Sequence, residues 1–173
     1  PEDAKGLLLQ SFEDPNPILF FEHKKLYRSL KGNVPEGFYT IPFGKARLVK
    51  EGKNLTIITY GLGVHFALEY SEKFPEKSIE IVDLRTLIPL DKETIFNSVK
   101  KCGKVIVLHE DTLTSGFGGE LSALISEHCF EDLDAPVLRV AALDTPIPFN
   151  KNLENQFLPT QELAKKIEWI LKY

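Results

Sequence analysis

Three titratable residues in a row, His109, Glu110 and Asp111, close the apolar run Val105-Ile106-Val107-Leu108 and precede a turn rich in Thr, Ser and Gly. A histidine beside carboxylates can act as a general base. Neighbours on a strand point to opposite faces, so His109 and Glu110 can grip one proton only if the strand has already ended. No Ser or Cys nucleophile motif accompanies them, and a structural, hydrogen-bonded role is the stronger reading for His109. Just downstream, Ser115-Gly116-Phe117-Gly118-Gly119-Glu120 leads into a helix. A helix amino terminus with bare backbone can hold an anion. The spacing is neither a dinucleotide fingerprint nor a phosphate loop with its Lys-Ser/Thr pair. Glycines also let a turn and helix pack close to a sheet, and the residues favour that plainer role.

The other candidates are more scattered. His65 and His128 fall at helix positions, where solvated or core-edge roles are the default. No His and Cys occur at metal-ligand spacing. Asp14 and Asn16, with backbone carbonyls near Ser11, make an oxygen-rich turn that can bind a hard cation; an ordinary side-chain-capped turn reads the same way and is favoured by the residues alone. Arg139 lies on a strand expected to be buried, and Asp83, Arg85 and Asp144 lie near strand ends. Charges at such depth need partners, and an internal ion pair or a subunit interface supplies them as well as a substrate would.

These groups are held by alternating strands and helices. The unbroken apolar character of Val105–Leu108 suits a strand covered on both faces, as in a parallel sheet. Leu121, Leu124, Ile125, His128 and Cys129 recur at helical spacing, so a helix starts near Gly119. Upstream, Ala46–Val49, Leu55–Tyr60 and Ile79–Val82 read as strands. Val64, Ala67, Leu68 and Ser71 mark a helix stopped by Pro75, and Asp91 caps another that Gly103 closes. Val137–Ala142 is a further strand. A Pro-broken stretch, Thr145–Phe149, leads to a last helix from Thr160 carrying Leu163, Ile167, Ile170 and Leu171. The pattern predicts a three-layer α/β fold, a mostly parallel sheet with helices on both faces. Ahead of it, Pro1–Glu13 reads as a helix, Ile18–Phe21 as a short apolar strand, and His23–Gly44 as an ordered connector. A lone helix and strand cannot cover each other, so residues 1–30 are expected to be the end of a preceding domain, 31–45 a connector, and 46–173 the main domain.

The chain has 173 residues, 43% of them hydrophobic, and a net charge of −4 with mixed signs. That is enough for a full core; the charge gives no footprint for nucleic acid, and no run reaches the ~20 apolar residues of a membrane helix. Two distant cysteines, Cys102 and Cys129, and no visible secretory signal suggest a reducing compartment. The chain contains no Met and opens within what looks like a helix, so it reads as a piece of a longer polypeptide.

Several stretches together resemble one known family: AKGLLLQSFEDPNPILFFEHKKLYR (4–28), GFYTIPFGKARLVKEGKNLTIITYG (37–61), EIVDLRTLIPLDKETIFNSVKKCGKVIVLHE (80–110), GFGGELSALISE (116–127) and APVLRVAALDTPIPF (135–149). They are similar to the beta subunit of the thiamine-diphosphate-dependent first component of 2-oxo acid dehydrogenase complexes, of the pyruvate and branched-chain types. The resemblance implies that residues 1–30 end a pyrimidine-binding domain and that residues from about 46 onward form a transketolase-type carboxyl-terminal domain. It implies thiamine diphosphate and magnesium in the intact enzyme, decarboxylation of a 2-oxo acid, and acyl transfer to a lipoyl group. It implies an alpha subunit (or alpha half of a fused chain), a second beta subunit and a lipoyl acyltransferase core as partners. The setting would be the bacterial cytoplasm, or the mitochondrial matrix in a eukaryote.

The glutamate and histidine that the family uses on the beta side belong before Pro1, so no catalytic or cofactor-binding residue is carried over. One site carries over in part: Ser11 (backbone carbonyl), Asp14 and Asn16 match a structural potassium site of some members. On this reading the chain serves subunit association and docking, and Arg139, Asp144 and the final helix are candidates for such contacts. Two alternatives stand beside it. One is the corresponding domain of another thiamine enzyme, such as a transketolase or a deoxyxylulose-phosphate synthase. The other is a free-standing α/β module that binds an anion at Gly116–Glu120.

Overall fold

The computed structural model describes residues 1–173. Five strands form one sheet: β1 (Arg47–Lys50), β2 (Leu55–Thr59), β3 (Ile79–Asp83), β4 (Val105–Thr112) and β5 (Leu138–Ala142), in the order β1-β3-β2-β4-β5. β2 pairs in parallel with β3 and β4, and β4 with β5; only β1 runs antiparallel, along the edge beside β3. The expected three-layer, mostly parallel α/β sheet is therefore the fold.

Period-two alternation splits the core into two layers. Leu55 and Ile57 of β2, Ile79 and Ile81 of β3, and Ile106 and Leu108 of β4 face α3 (Leu62–Lys73) and α7 (Thr160–Ile170), which add Ala67, Leu163, Ile167 and Ile170. Ile58, Val82, Val105 and Val107 face the other way, against α4 (Lys92–Cys102) and α5 (Gly118–Cys129), which add Ile95, Val99, Leu121, Ile125 and Cys129. Each fully buried aliphatic side chain contributes roughly 1.5–3 kcal/mol, so the sheet and its four helices carry the stability.

The helices begin and end where local chemistry directs. Asp91 caps α4 by accepting from the Thr94 amide at 3.1 Å, and Gly103, at φ 65, ends it in the left-handed region. A short α6 (Lys151–Phe157), capped by Asn150, follows the Pro-broken stretch; its few apolar positions gave no helical signal in the sequence.

Two expectations change. Ile18–Phe21 has no regular secondary structure and joins no sheet, and none of its backbone groups enters a backbone hydrogen bond. β-propensity alone cannot make a strand without a partner. Arg139 is exposed rather than buried, because β5 is the sheet's other edge. Ahead of the sheet stand α1 (Glu2–Glu13) and a one-turn helix α2 (Leu26–Ser29).

Candidate functional site

β4 does not stop where its apolar run ends at Leu108. The strand continues through His109 to Thr112, so His109 and Glu110 point to opposite faces. His109 is fully buried, and neither ring nitrogen has a hydrogen-bond partner. Its ring lies parallel to that of Tyr60, 6.4 Å between centroids and 11° between planes. The glycine turn closes over the rest. A Cβ on Gly116 would sit 2.5 Å from the ring's Cε1, and one on Gly118 would sit 2.6 Å from Cδ2 and closer still to Nε2. Real Cβ atoms do not approach so closely, so both positions require glycine for space. Burial lowers the His109 pKa and the Arg139 guanidinium adds to this, while the Asp111 carboxylate and, more weakly, its backbone oppose it.

Charged residues flank this cage without entering it. Glu110 turns outward and pairs through Oε2 with His23 Nε2 at 2.7 Å, joining residues 87 apart in sequence. Asp144 accepts from the Thr114 amide at 2.9 Å and from its hydroxyl at 2.6 Å. Those hydrogen bonds hold the Asp144 carboxyl below its ordinary pKa. Arg139 Nη1 donates to the Leu113 carbonyl at 3.1 Å. The two β5-side charges that the sequence left open thus strap residues 112–118 over the imidazole.

The third cluster ties α1 to the sheet. Arg85, at φ 57, sends its guanidinium to Asp3 at 2.5 Å, and Arg47 reaches the same carboxylate at 3.6 Å. Asp83 accepts from the Arg85 amide at 3.1 Å, which steadies this left-handed residue. Burial raises the Asp83 pKa despite that hydrogen bond. Gly6 of α1 packs on Ile41 and Tyr39 too closely for any side chain. Sequence alone gave no signal for the Asp3–Arg85 or His23–Glu110 pairs, because their members are remote along the chain.

The remaining candidates have structural settings. Asn16 donates through both its backbone and side-chain amides to Asp14 Oδ1 at 2.9 Å, and the Ser11 hydroxyl donates to the Leu7 carbonyl at 2.9 Å. No three His, Cys, Asp or Glu side chains gather as a metal site. His128 stacks on Phe96 at 4.9 Å, and its Nδ1 lies 3.0 Å from the Leu124 carbonyl. Burial lowers the His65 pKa, with His23 adding to it. Both cysteines are buried free thiols, and burial pushes Cys102 up to about 11.

One buried carboxylate escaped the sequence reading: Glu80, 2% exposed, is held by the Ser98 hydroxyl at 2.6 Å and by Lys101. Its pattern is that of an internal pin between β3 and α4. Among the surface clefts, two of about 500 Å³ and 540 Å³ are lined by no histidine.

A parallel sheet with an antiparallel edge, covered on both faces and closed by α7, is matched by a family model over residues 44–163, described as "Transketolase, C-terminal domain". The chain belongs to the transketolase C-terminal domain family.

Other members are similar over nearly all of the chain. The 2-oxoisovalerate dehydrogenase subunit beta of Bacillus subtilis is 48% identical over 161 residues, covering 91% of this chain and 49% of that protein. The pyruvate dehydrogenase E1 component subunit beta of Bacillus subtilis is 45% identical over 173 residues, covering 96% and 53%. The acetoin:2,6-dichlorophenolindophenol oxidoreductase subunit beta of Cupriavidus necator is 44% identical over 162 residues, covering 92% and 48%. Among solved structures, a split-gene transketolase described as an inactive beta4 tetramer aligns with TM-score 0.65 and 26% identity, covering 80% of this chain and 46% of its own.

The resemblance to 2-oxo acid dehydrogenase beta subunits therefore holds at the level of sequence, and this chain spans about half the length of those relatives. No helix is long and apolar enough to cross a membrane. The residues present do not fit a diphosphate at the glycine turn of this domain. The volume left free by the absent Cβ atoms is filled by the His109 ring, whose neutral form is favoured by burial.

Proposed function

We infer that this chain is the carboxyl-terminal half of the beta subunit of a thiamine-diphosphate-dependent 2-oxo acid dehydrogenase, with a structural role in subunit association and docking. The observation that carries the reading is identity of 48% to a 2-oxoisovalerate dehydrogenase beta subunit, sustained across the connector as well as the domain. The unpartnered Ile18–Phe21 supports it. Leu19 is 85% and Phe21 88% exposed, with no backbone hydrogen bond along the run, as expected of the last strand of a preceding domain without its sheet. Residues 1–30 then belong to that domain, 31–45 to the connector, and 46–173 to the carboxyl-terminal domain.

In the whole protein the reaction would be decarboxylation of a 2-oxo acid with acyl transfer to a lipoyl group. Thiamine diphosphate and magnesium would be held by segments outside this chain together with an alpha subunit. A second beta subunit and the lipoyl acyltransferase core complete the assembly, in the bacterial cytoplasm or the mitochondrial matrix. Ser11, Asp14 and Asn16 would give part of a potassium site. Both hydrogen bonds from Asn16 fall on Asp14 Oδ1, which leaves Oδ2 for a cation. Branched-chain substrates lead on identity. Acetoin oxidation is a second reading, favoured by 44% identity to a subunit of that enzyme.

The test is a chimaera. This chain replaces the aligned half of the Bacillus subtilis 2-oxoisovalerate dehydrogenase beta subunit and is co-produced with its alpha partner. Dye reduction dependent on 2-oxoisovalerate is the expected result; a well-folded but inactive assembly overturns the assignment. Calorimetry of the 173-residue chain alone with thiamine diphosphate and magnesium should give no binding heat, and a micromolar constant would contradict the division of labour.

A further inference from the structure

A buried histidine with two unpartnered nitrogens is costly unless it stays neutral, because its charged form would lose hydration and gain nothing. His109 is enclosed by Tyr60, whose own ring meets Phe117 edge-on, and by Gly116 and Gly118. The titratable and charged groups around it are few. Asp111, two residues along β4, is the one anion; Arg139 of β5 is a cation; Tyr60, at the end of β2, has its pKa raised by burial. The part of α5 against the ring brings only Phe117 and glycines, together with the positive end of the helix dipole. Arg139 and the helix end therefore both oppose a proton on the ring, and exposed Asp111 works against them from the strand's outer end.

The cover over this ring lies outside the sheet's strand pairing, although Phe117 packs on the core and Gly118 opens α5. Residues 112–118 make no strand pairing beyond Thr112, and side chains fasten them: Thr114 to Asp144, and Arg139 to the Leu113 carbonyl. We propose that His109 and the glycine strap over it form an acid-sensitive latch at the carboxyl end of the sheet: closed over a neutral imidazole, and released when the ring takes a proton and must reach water. The proton is the ligand. The latch stands on the cage geometry alone and is independent of the enzyme class assigned above.

The sign follows from linkage. In the released state the imidazole regains an ordinary pKa of about 6.5, while the caged ring titrates lower. Release is therefore unaffected by pH above about 6.5 and becomes easier below it, by at most about tenfold per pH unit, until the caged ring itself is protonated. The experiment is amide hydrogen exchange on the intact chain between pH 7.5 and 5.5, corrected for intrinsic rates. The protection of Thr114, Gly119 and Leu121 is followed against that of β2, together with an NMR titration of the His109 ring. Strap protection should fall by up to about fivefold from pH 6.5 to 5.5 while β2 is unchanged, and His109 should titrate below 6.5.

In His109→Gln the pH response should vanish, and in His23→Gln it should persist. Constant strap protection, or a His109 titration at or above the ordinary value, overturns the latch. So does loss of the response in His23→Gln, which would assign it to the His23–Glu110 pair. If His109→Gln does not fold, the wild-type ring titration and the His23→Gln exchange decide the matter without it.

Discussion

Residues 1–45 and the sheet domain that follows obey the same chemistry with opposite outcomes. The chain has 42 buried residues, and among those ahead of β1 only Gly6 belongs to that set. Both regions hold apolar runs of similar strength: Ile18-Leu19-Phe20-Phe21 in one, Val105-Ile106-Val107-Leu108 in the other. The second has strands on both sides and helices on both faces, and every residue of it is 0% exposed. The first has neither. Apolar content thus does not make a strand stable; hydrogen-bonded neighbours and cover do.

That contrast can be broken most sharply by truncation. Ile57→Ala, at the centre of β2, should destabilise the chain by about 2–5 kcal/mol in urea unfolding. Phe21→Ala should change it by no more than about 0.5 kcal/mol. A large cost at Phe21 would mean that the amino-terminal region folds as part of the core.

The strap gives the next effect. Gly118→Ala drives a methyl into the His109 ring and should cost about 1–3 kcal/mol. His109→Ala in the same chain should recover part of that cost, a coupling measurable by a double-mutant cycle. Strict additivity would show that the glycine serves the turn and not the histidine.

Asp91→Ala removes the α4 cap and should cost about 1 kcal/mol at neutral pH. Burial alone would raise the Asp91 pKa, but hydrogen bonds from the Ala46 and Thr94 amides and the Thr94 hydroxyl outweigh it and leave the pKa low. The difference between wild type and variant should therefore be complete above the unfolded value of about 3.9 and shrink as pH falls through the folded one. Unfolding curves at pH 7 and pH 3 check the sign.

Smallest for global stability, and confined to one region, is Asp3→Ala. Losing the Arg85 and Arg47 contacts should raise exchange of α1 amides while leaving β2 protection unchanged. Equal loosening of both would make the helix an integral part of the sheet domain.

Much of the sheet domain was legible because its signals are local. All five of its strands and the helices capped by Asp91 or broken by Pro75 announce themselves within ten residues. The glycine turn was correctly weighed as a packing device, but its object was not visible. His109 was expected to be hydrogen-bonded, and instead it sits unpartnered in a cage that only three-dimensional closure creates. The strand at Ile18–Phe21 failed for a related reason: propensity is a property of the residues, whereas pairing is a property of their neighbours.

Sequence by itself determined the alternation of strands and helices, their caps, and the family likeness, since each is encoded in residues close together along the chain. Tertiary structure alone decided that β1 runs antiparallel, that Asp3 meets Arg85 and His23 meets Glu110, and that two glycines enclose an imidazole. Those outcomes depend on which distant surfaces come within a few ångströms, and no local periodicity specifies that.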